Sequence, residues 1–286
     1  MIPVVSHLFI YPIKSCGGIS LSEAVIEERG FRYDRRWMVT DENGVFLTQR
    51  RHPQLARARV AISGDKLEIS AAGQSSVQAP LEPRKGEPMH VEVWGQTVKA
   101  LRGPRELEQW FEALLGQSCR VVYMPDTSVR QMALRDSPES RGIAFSDAFP
   151  FLLLSEASVD ELNRRLSNPV PMNRFRPNIV VSGCDAHDED RWREIKIGSV
   201  AFEVVRPCSR CATTTVDQET GVRGTEPLRT LANYRGHGTK VFFGQNVLHR
   251  ATGTLRVGHE LAVISSRSSD DFPHGPINST ATPKEL

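Results

Sequence analysis

The chain has 286 residues, of which 39% are hydrophobic and 24% are charged, a composition typical of a folded protein of about two domains. With 36 Lys and Arg against 34 Asp and Glu, the net charge is +2, which disfavours a dedicated nucleic-acid-binding protein because such proteins carry a basic excess. Apolar runs are too short for a membrane span, and the N-terminal residues lack the pattern of a secretory signal. The five cysteines form an odd, sparse set that indicates reduced thiols and hence a cytoplasmic protein.

Short strands separated by turns are predicted over the first third of the chain. Residues 4–11 are rich in β-branched and aromatic side chains, which favours a strand. Residues 36–40 and 45–49 flank Asn43-Gly44, and an Asn-Gly pair between apolar runs is a strong hairpin signal. Residues 91–98 alternate between apolar and polar side chains and predict a second hairpin. This pattern is typical of a small barrel or a curled sheet.

The rest of the chain mixes helices with short buried strands. Apolar residues recur at helical spacing over 104–115 and 155–166, where Pro104 and Ser155 are suited to the first positions. A third, shorter helix is predicted over 226–234. The predicted buried strands are residues 151–154, 178–182, 200–205 and 241–243.

Cys208 and Cys211 form a C-x-x-C pair that permits several kinds of chemistry. A structural zinc site needs four Cys or His ligands, and the sequence has no second pair at a suitable spacing. A thioredoxin-like redox pair normally opens a helix, whereas residues 213–216 favour a strand. A third interpretation is that one thiolate binds a soft metal, because Arg206 and Arg210 favour the ionised form. A fourth is that both cysteines are buried without a chemical role.

Two basic segments are candidates for binding an anion. Lys14 and Ser15 precede Gly17-Gly18, and an ammonium group, a hydroxyl group and flexible glycine amides can surround a phosphate. Arg176 precedes a predicted buried strand, and its side chain would point to the same side as Asn178 if the backbone is extended. By residue type alone, either segment is equally compatible with a solvated loop.

Four separated motifs resemble, in the same order, those of MOSC-domain proteins, and in particular the mitochondrial amidoxime reducing component and its bacterial relative YcbX. The likeness extends from residue 4 to residue 263, and the motifs lie at residues 11–16, 175–178, 208–221 and 243–245. The resemblance implies a β-rich α+β fold, with an N-terminal β-barrel-like domain and a MOSC domain of mixed barrel or sheet with flanking helices. We expect these domains at residues 1–124 and 125–266, and the polar, aperiodic residues 267–286 predict a disordered tail.

The resemblance also implies a molybdenum cofactor, a molybdopterin whose metal binds a protein thiolate. By motif position this thiolate is Cys211, which would be both the metal ligand and the catalytic residue. Lys and Arg suit the phosphate, Asp and Asn suit the donor-rich pterin edge, and a thiolate suits the metal. The other implied cofactor contacts are Lys14, Ser15 and Arg35 in the N-terminal domain and Asp147, Arg176, Asn178, Ser209 and Arg210 in the MOSC domain.

The sequence departs from the family pattern in two places. Ala148 and Phe149 follow Asp147, where close relatives have hydroxyl residues that contact the cofactor. No cysteine follows Cys211, so the iron–sulfur domain of many YcbX-like proteins is not expected. Pyridoxal phosphate is not expected either, because it requires its own fold and a Schiff-base lysine.

The implied function is the reduction of N-hydroxylated compounds, namely hydroxylamines, amidoximes or N-hydroxylated bases, as in detoxification. The sequence has no nucleotide-binding glycine fingerprint and no evident flavin or haem motif. We therefore expect the electrons to come from a separate redox protein, either a ferredoxin or a cytochrome with its reductase. Two alternatives remain: a cofactor carrier or sulfur-handling MOSC protein without such turnover, and a β-barrel interaction protein without metal.

Overall fold

The computed structural model describes residues 2–132 and 141–267, so the predicted tail lies, except for its first residue, outside the described residues. The α-helices of the described part are α1 (Arg105–Leu115), α2 (Glu156–Arg165) and α3 (Leu228–Arg235), and none of them is long and apolar enough to cross a bilayer. The strands before residue 125 are β1 (Val4–Ile10), β2 (Ile19–Leu21), β3 (Glu23–Glu27), β4 (Gly30–Phe31), β5 (Trp37–Thr40), β6 (Arg59–Ser63), β7 (Lys66–Ala71), β8 (Gln74–Pro80), β9 (Pro88–Val93), β10 (Gln96–Arg102) and β11 (Arg120–Tyr123). Those that follow are β12 (Gln131–Met132), β13 (Arg141–Gly142), β14 (Phe151–Ser155), β15 (Ile179–Ser182), β16 (Trp192–Ile197), β17 (Val200–Arg210), β18 (Gly236–His237), β19 (Lys240–His249), β20 (Gly253–Arg256) and β21 (Leu261–Ser266).

The largest sheet within the described residues has nine strands, in the order β2-β1-β15-β14-β19-β17-β16-β21, with β18 paired to β19. Neighbouring strands are antiparallel except for β14 and β15, which run parallel because α2 lies in the crossover between them. One antiparallel bridge, between Val4 and Glu260, brings the far end of this path against β1. The fold is therefore β-rich with flanking helices, as predicted, and its main sheet is curled without a continuous ladder that closes a barrel.

Two smaller sheets and α1 form most of the first half of the chain. The sheets have the orders β5-β11-β10-β9 and β6-β7-β8. Phe111 on α1 belongs to the same buried cluster as Trp37 on β5 and Leu67 on β7. Strand pairing also crosses the predicted domain division at residue 124, because β1 pairs with β15 and β3 pairs with β20. The first strands of the chain thus belong to sheets of the second half.

The hairpin predicted around Asn43-Gly44 forms with the expected turn, one full strand and a short second arm. Asp41 Oδ1 accepts a hydrogen bond from the N–H of Asn43 at 2.9 Å, and Gly44 adopts a φ of 81°. β5 forms the first arm. The second arm is shorter than the predicted strand at 45–49. Phe46 forms an antiparallel bridge with Thr40, and the N–H of Leu47 donates to the carbonyl of Val39 at 2.8 Å, but the backbone then turns where the N–H of Arg51 donates to the carbonyl of Thr48.

The other local predictions that rest on turn and cap residues are confirmed. β9 and β10 form the second hairpin, with Trp94 and Gly95 in the turn at φ values of 52° and 75°. α1 ends at Gly116, whose φ of 69° is the left-handed conformation that glycine tolerates. Ser155 caps α2 by accepting a hydrogen bond from the N–H of Ser158 at 3.1 Å.

The segment around the cysteine pair differs from its prediction. β17 extends beyond the predicted 200–205 to Arg210, because it continues to pair with β19 through two register shifts. Residues 213–216 are not a strand, and Ala212–Thr215 forms a short 3-10 helix. Two threonine hydroxyls of this run donate to nearby carbonyls, at 3.0 and 2.8 Å, so its polar groups are satisfied locally without a partner strand.

A histidine packs in the polar interior between α2, α3 and β19. The ring of His187 lies 6.0 Å from the rings of Tyr234 and Phe243, and its backbone N–H donates to Ser158 Oγ at 2.8 Å. Burial, reinforced by the charge of Arg235, lowers the pKa of His187 to about 4. The folded protein therefore keeps this imidazole neutral where an unfolded histidine takes up a proton, near pH 6.5.

We expect His187 to make the protein less stable as the pH falls from 7 to 5. Below its ordinary pKa the unfolded state binds a proton that the folded state does not, so stability decreases as the pH approaches the folded pKa. Over this interval the free energy of unfolding of His187→Gln should decrease by about 2 kcal/mol less than that of the wild type. Urea denaturation measures both. Replacement of the exposed His90 by Gln is the control and should follow the wild type. Equal losses in wild type and His187→Gln would contradict the assignment.

Candidate functional site

A cleft of about 550 Å³ opens where the end of β17 meets the loops after β1 and β4 and the segments before β14 and β15. The structure brings together in this cleft all nine residues that the family resemblance implied. Their individual roles toward a cofactor stay predictions. The nine residues are Lys14, Ser15, Arg35, Asp147, Arg176, Asn178, Ser209, Arg210 and Cys211.

The cleft is strongly cationic. Seven lining side chains carry a positive charge, whereas Asp147 is the only acidic residue among those that line it. A concave surface lined by one sign of charge concentrates the field and attracts ions of the opposite sign. The cleft is therefore suited to an anionic ligand. The cationic lining residues are Lys14, Arg35, Arg50, Arg176, Arg206, Arg210 and Lys240.

Two of these cations lie against the ring of Tyr11. The guanidinium groups of Arg35 and Arg176 are 4.5 and 4.1 Å from the ring centroid. The ring is itself held, because the Tyr11 hydroxyl donates to the carbonyl of Pro177 at 3.0 Å. Arg176 Nη1 donates to the carbonyl of Cys16 at 2.6 Å. Both arginines have positive φ values, 50° and 56°, which cost about 1 kcal/mol or more each, so these contacts stabilise an otherwise unfavourable backbone.

Asn178 positions Arg35. Its amide oxygen accepts hydrogen bonds from Arg35 Nη1 at 2.9 Å and from the N–H of Leu152 at 3.2 Å. Its amide nitrogen donates to the carbonyl of Phe9 at 3.2 Å. The extended backbone that would direct Arg176 and Asn178 to the same side is not present, because Arg176 is left-handed, but both side chains line the cleft.

Asp34 compensates the charge of Arg35. Arg35 Nη1 donates to Asp34 Oδ2 at 2.5 Å, and the two side chains are only 14% and 3% exposed. The other carboxylate oxygen accepts a hydrogen bond from the backbone N–H of Tyr11 at 2.7 Å. Burial disfavours the charge of Arg35, but the attraction of Asp34 outweighs it and raises the pKa of the guanidinium group. The sequence analysis did not identify Asp34, because its role is to orient a neighbouring side chain.

Lys14 and Asp147 form a second ion pair in the cleft. Lys14 Nζ donates to the carbonyl of Phe145 at 2.8 Å and to the carboxylate of Asp147. Burial lowers the pKa of Lys14, although Asp147 opposes this shift. Desolvation would raise the pKa of Asp147, but the ammonium group outweighs it and holds the pKa of the carboxyl group well below its usual range. Asp147 is therefore an ionised hydrogen-bond acceptor.

The two thiols of the C-x-x-C pair are half-buried and line the cleft. Cys208 lies on β17 beside the register shift between Pro207 and Ser209, and such bulges redirect side chains near active sites. Arg210 Nη1 donates to Cys208 Sγ at 3.1 Å. Cys211 precedes the 3-10 helix, and its thiol lies 3.4 Å from the hydroxyl of Thr213. Arg210 thus engages Cys208, whereas Cys211 contacts a neutral group.

A pair of side-chain amides holds the loop after Cys211 against the first half of the chain. Gln49 and Gln218 exchange two hydrogen bonds of 3.1 Å each, and Gln49 also donates to the carbonyl of Ser15 at 2.7 Å. Gln49 is fully buried. We call this pair the amide clasp. The sequence analysis missed it because two glutamines separated by 169 positions leave no local signal.

The glycines after Ser15 have a packing role. The N–H of Gly17 donates to the carbonyl of Ala58 at 2.8 Å. A side chain at Gly18 would lie 2.5 Å from the ring of Tyr11. The small size of these residues therefore permits close approach within the protein.

Three cationic lining residues were not among the predicted contacts. The guanidinium of Arg206 lies 4.9 Å from the ring centroid of Phe149. The aromatic ring of Phe149 thus provides a surface that the Arg206 guanidinium contacts. Arg50 belongs to an Arg-Arg pair that a search for basic segments could have found, whereas Lys240 has no comparable signal.

Loss of the negative charge at Asp34 should destabilise the protein far more than the same change at Asp126. Asp126 pairs with Arg36 at 2.8 Å, but its side chain is 87% exposed. Asp34→Asn leaves Arg35 buried without its counter-charge, so we expect a loss of about 3 kcal/mol, against less than about 1 kcal/mol for Asp126→Asn. Urea denaturation at pH 7 measures both variants, and equal losses would show that the buried pair has no special role.

Two family models match the chain: the MOSC N-terminal beta barrel domain over residues 2–118 and the MOSC domain over residues 140–262. Mitochondrial amidoxime-reducing component 1 of Mus musculus is 40% identical, in a match that covers 91% of this chain and 82% of that protein. Mitochondrial amidoxime reducing component 2 of Rattus norvegicus is 35% identical over 89% of this chain and 81% of that protein. The crystal structure of the YUAD protein from Bacillus subtilis matches 91% of this chain and 94% of its own, but at a TM-score of 0.38 and 11% identity it supports no statement about the fold. Because both domain models match in order and these relatives match over most of their length, the chain belongs to the MOSC-domain family that includes the mitochondrial amidoxime-reducing components.

Proposed function

We propose that this protein uses a molybdenum cofactor to reduce N-hydroxylated compounds such as hydroxylamines, amidoximes and N-hydroxylated bases. The observation that carries the proposal is the cationic cleft, in which Cys211 meets the other eight residues implied by the family resemblance. The substrate class is supported by the relatives, which are named amidoxime-reducing components.

The donor set of the cleft fits a molybdopterin. The Arg side chains suit its phosphate, the ionised Asp147 suits the N–H groups of the pterin, and the half-buried thiol of Cys211 suits a soft metal. Arg210 Nε is buried and has no hydrogen-bond partner within the described residues. When bound, the cofactor supplies the two-electron chemistry that breaks the N–O bond.

The arginines of the cleft would hold the anionic part of the cofactor. Arg35 and Arg176 are already fixed by Tyr11 and by the hydrogen bonds described above. Since few rotamers remain for these side chains to lose, binding costs little conformational entropy. Asn178 acts through Arg35 and is therefore a positioning residue in this proposal.

Lys14 is the proton donor that we propose for the leaving oxygen. Reduction of a hydroxylamine to an amine consumes two electrons and two protons and releases one water. Burial lowers the pKa of Lys14, which makes its ammonium group a better acid. Two of the three Nζ hydrogens are directed to the carbonyl of Phe145 and to Asp147, so this proposal assigns the third to the substrate and assigns the cofactor phosphate to the arginines.

The electrons would come from a separate redox protein, because the sequence has no nucleotide-binding glycine fingerprint to accept a hydride from a nicotinamide. A ferredoxin or a cytochrome with its reductase is the kind of partner we propose. The five free cysteines fit a reducing compartment, and we propose a cytoplasmic location on that basis.

Exchange of the two cysteines for serine should separate their roles. Cys211→Ser should lower turnover more than about a hundredfold, and Cys208→Ser less than about tenfold, because only Cys211 matches the metal-ligand position. A serine hydroxyl at position 208 can still accept the hydrogen bond from Arg210. Turnover of benzamidoxime with reduced methyl viologen and molybdenum content by elemental analysis measure both effects.

Equal losses of activity and molybdenum in the two variants would favour a site built from both thiols. A wild-type protein with full molybdenum content that turns over no N-hydroxylated substrate would favour the cofactor carrier. A protein that stays free of molybdenum when expressed with ample molybdate would overturn the proposal.

The source of electrons can be tested with purified protein. We expect no turnover of benzamidoxime with NADH or NADPH alone and clear turnover with reduced methyl viologen, because the chain needs a donor that delivers electrons without a hydride site. With a natural redox partner the rate should fall as salt rises, since weak electron-transfer encounters are steered by charge. Turnover with a nicotinamide alone would contradict the need for a separate donor.

A further inference from the structure

Trp94 is an exposed aromatic residue that takes no part in the proposed cofactor contacts. Trp94 is 43% exposed. The other three tryptophans are buried, with exposures of 1% for Trp37, 6% for Trp110 and 5% for Trp192. Trp94 occupies the first position of the turn between β9 and β10, at a φ of 52°. Turns of this kind favour Asn, Asp or Gly there, so the turn itself does not explain a tryptophan.

Three contacts hold the indole in place. Its Nε1 donates to Asp147 Oδ1 at 3.2 Å, and the guanidinium of Arg50 lies 4.4 Å from the ring centroid. The ring of Phe46 lies 4.9 Å away at an angle of 55°. An exposed aromatic ring that is already fixed loses little conformational freedom when a ligand packs on it.

Two of these partners place the indole at the mouth of the cleft. Arg50 and Asp147 both line the cleft, and Asp147 pairs with the buried ammonium group of Lys14. The Nε1 edge of Trp94 therefore faces Asp147, the partner of the group that we propose as the proton donor, while Arg50 lies over one face of the ring. A flat substrate whose N–OH group reaches Lys14 would extend past the indole.

We propose that Trp94 determines specificity by stacking on flat, conjugated N-hydroxylated substrates at the mouth of the cleft. The inference rests on the proposed function. It names the substrate class as aryl amidoximes and N-hydroxylated nucleobases, in preference to small aliphatic N-hydroxy compounds. Aromatic rings in offset or edge-to-face contact attract one another beyond the effect of buried area, and stacking on an aromatic side chain accepts any flat base.

Two amidoximes that share the reacting group provide the kinetic test. Benzamidoxime carries a phenyl ring where acetamidoxime carries a methyl group. With holoenzyme and reduced methyl viologen, Trp94→Leu should raise the KM for benzamidoxime about fivefold to tenfold and change that for acetamidoxime less than about twofold. Trp94→Phe should stay near the wild type for both, because it keeps a ring and loses only the N–H that binds Asp147. An equal change with both amidoximes, or no change with either, would overturn the inference.

Fluorescence tests the same contact without turnover. Because Trp94 is the exposed indole, acrylamide should quench it preferentially, and saturating benzamidoxime should protect it. We expect this protection in the wild type and in Trp110→Phe, which removes a buried indole, whereas Trp94→Phe lacks the exposed fluorophore and identifies it as the protected one. Protection that persists in Trp94→Phe, or that acetamidoxime gives equally well, would contradict stacking on this residue.

The two readouts separate this inference from the proposed function. If the wild-type holoenzyme reduces neither amidoxime, the proposed function fails, while the quenching experiment still decides whether Trp94 binds the aryl group. If it reduces both, and Trp94→Leu does not discriminate between them, the proposed function stands and the role of Trp94 is wrong.

Discussion

Two guanidinium groups lie against one tyrosine ring, and the cleft depends on how the fold accommodates their like charges. Asp34 compensates Arg35 directly, through a contact of 2.5 Å between buried side chains. Arg176 uses the face of Tyr11 and the carbonyl of Cys16, and burial lowers the pKa of its guanidinium. A buried cation without a counter-charge destabilises the folded protein. A ligand that brings negative charge to Arg176 therefore stabilises the site most. The electrostatic preference for an anion is thus built into the folded chain.

The sheet topology explains why residues distant in sequence meet at this point. β1 and β15 are antiparallel, with Leu8 opposite Ile179, so the segment that follows β1 lies beside the segment that precedes β15. β14 runs parallel to β15, with Leu153 opposite Ile179, so the segment before β14 arrives at the same edge. Lys14, Asp147 and Arg176 therefore converge because three strand ends meet, and the bulged end of β17 adds the two thiols.

Local signals predicted the local structure well, since they depend on the preferences of the residues themselves. The Asn43-Gly44 turn and the Ser155 cap are of this kind. The strand predictions at 45–49 and 213–216 went too far because local hydrogen bonds compete with strand pairing. A turn ends the first segment after its bridge to β5, and the second satisfies its polar groups within a 3-10 helix. The spacing of Cys208 and Cys211 alone left four interpretations, and it was the ordered motifs of the family that selected the residues of the cleft.

The cleft joins the two halves of the chain, so a ligand bound there acts on both. Lys14, Arg35 and Arg50 come from the first half, while Arg176, Arg206, Arg210 and Lys240 come from the second. The amide clasp and the bond between Trp94 and Asp147 already connect these halves across the site. An anion that binds only the folded state stabilises it by mass action, and here it would also reduce the repulsion among cations from both halves. Binding of an anion in the cleft and the association of the halves are therefore coupled, because the same side chains serve both.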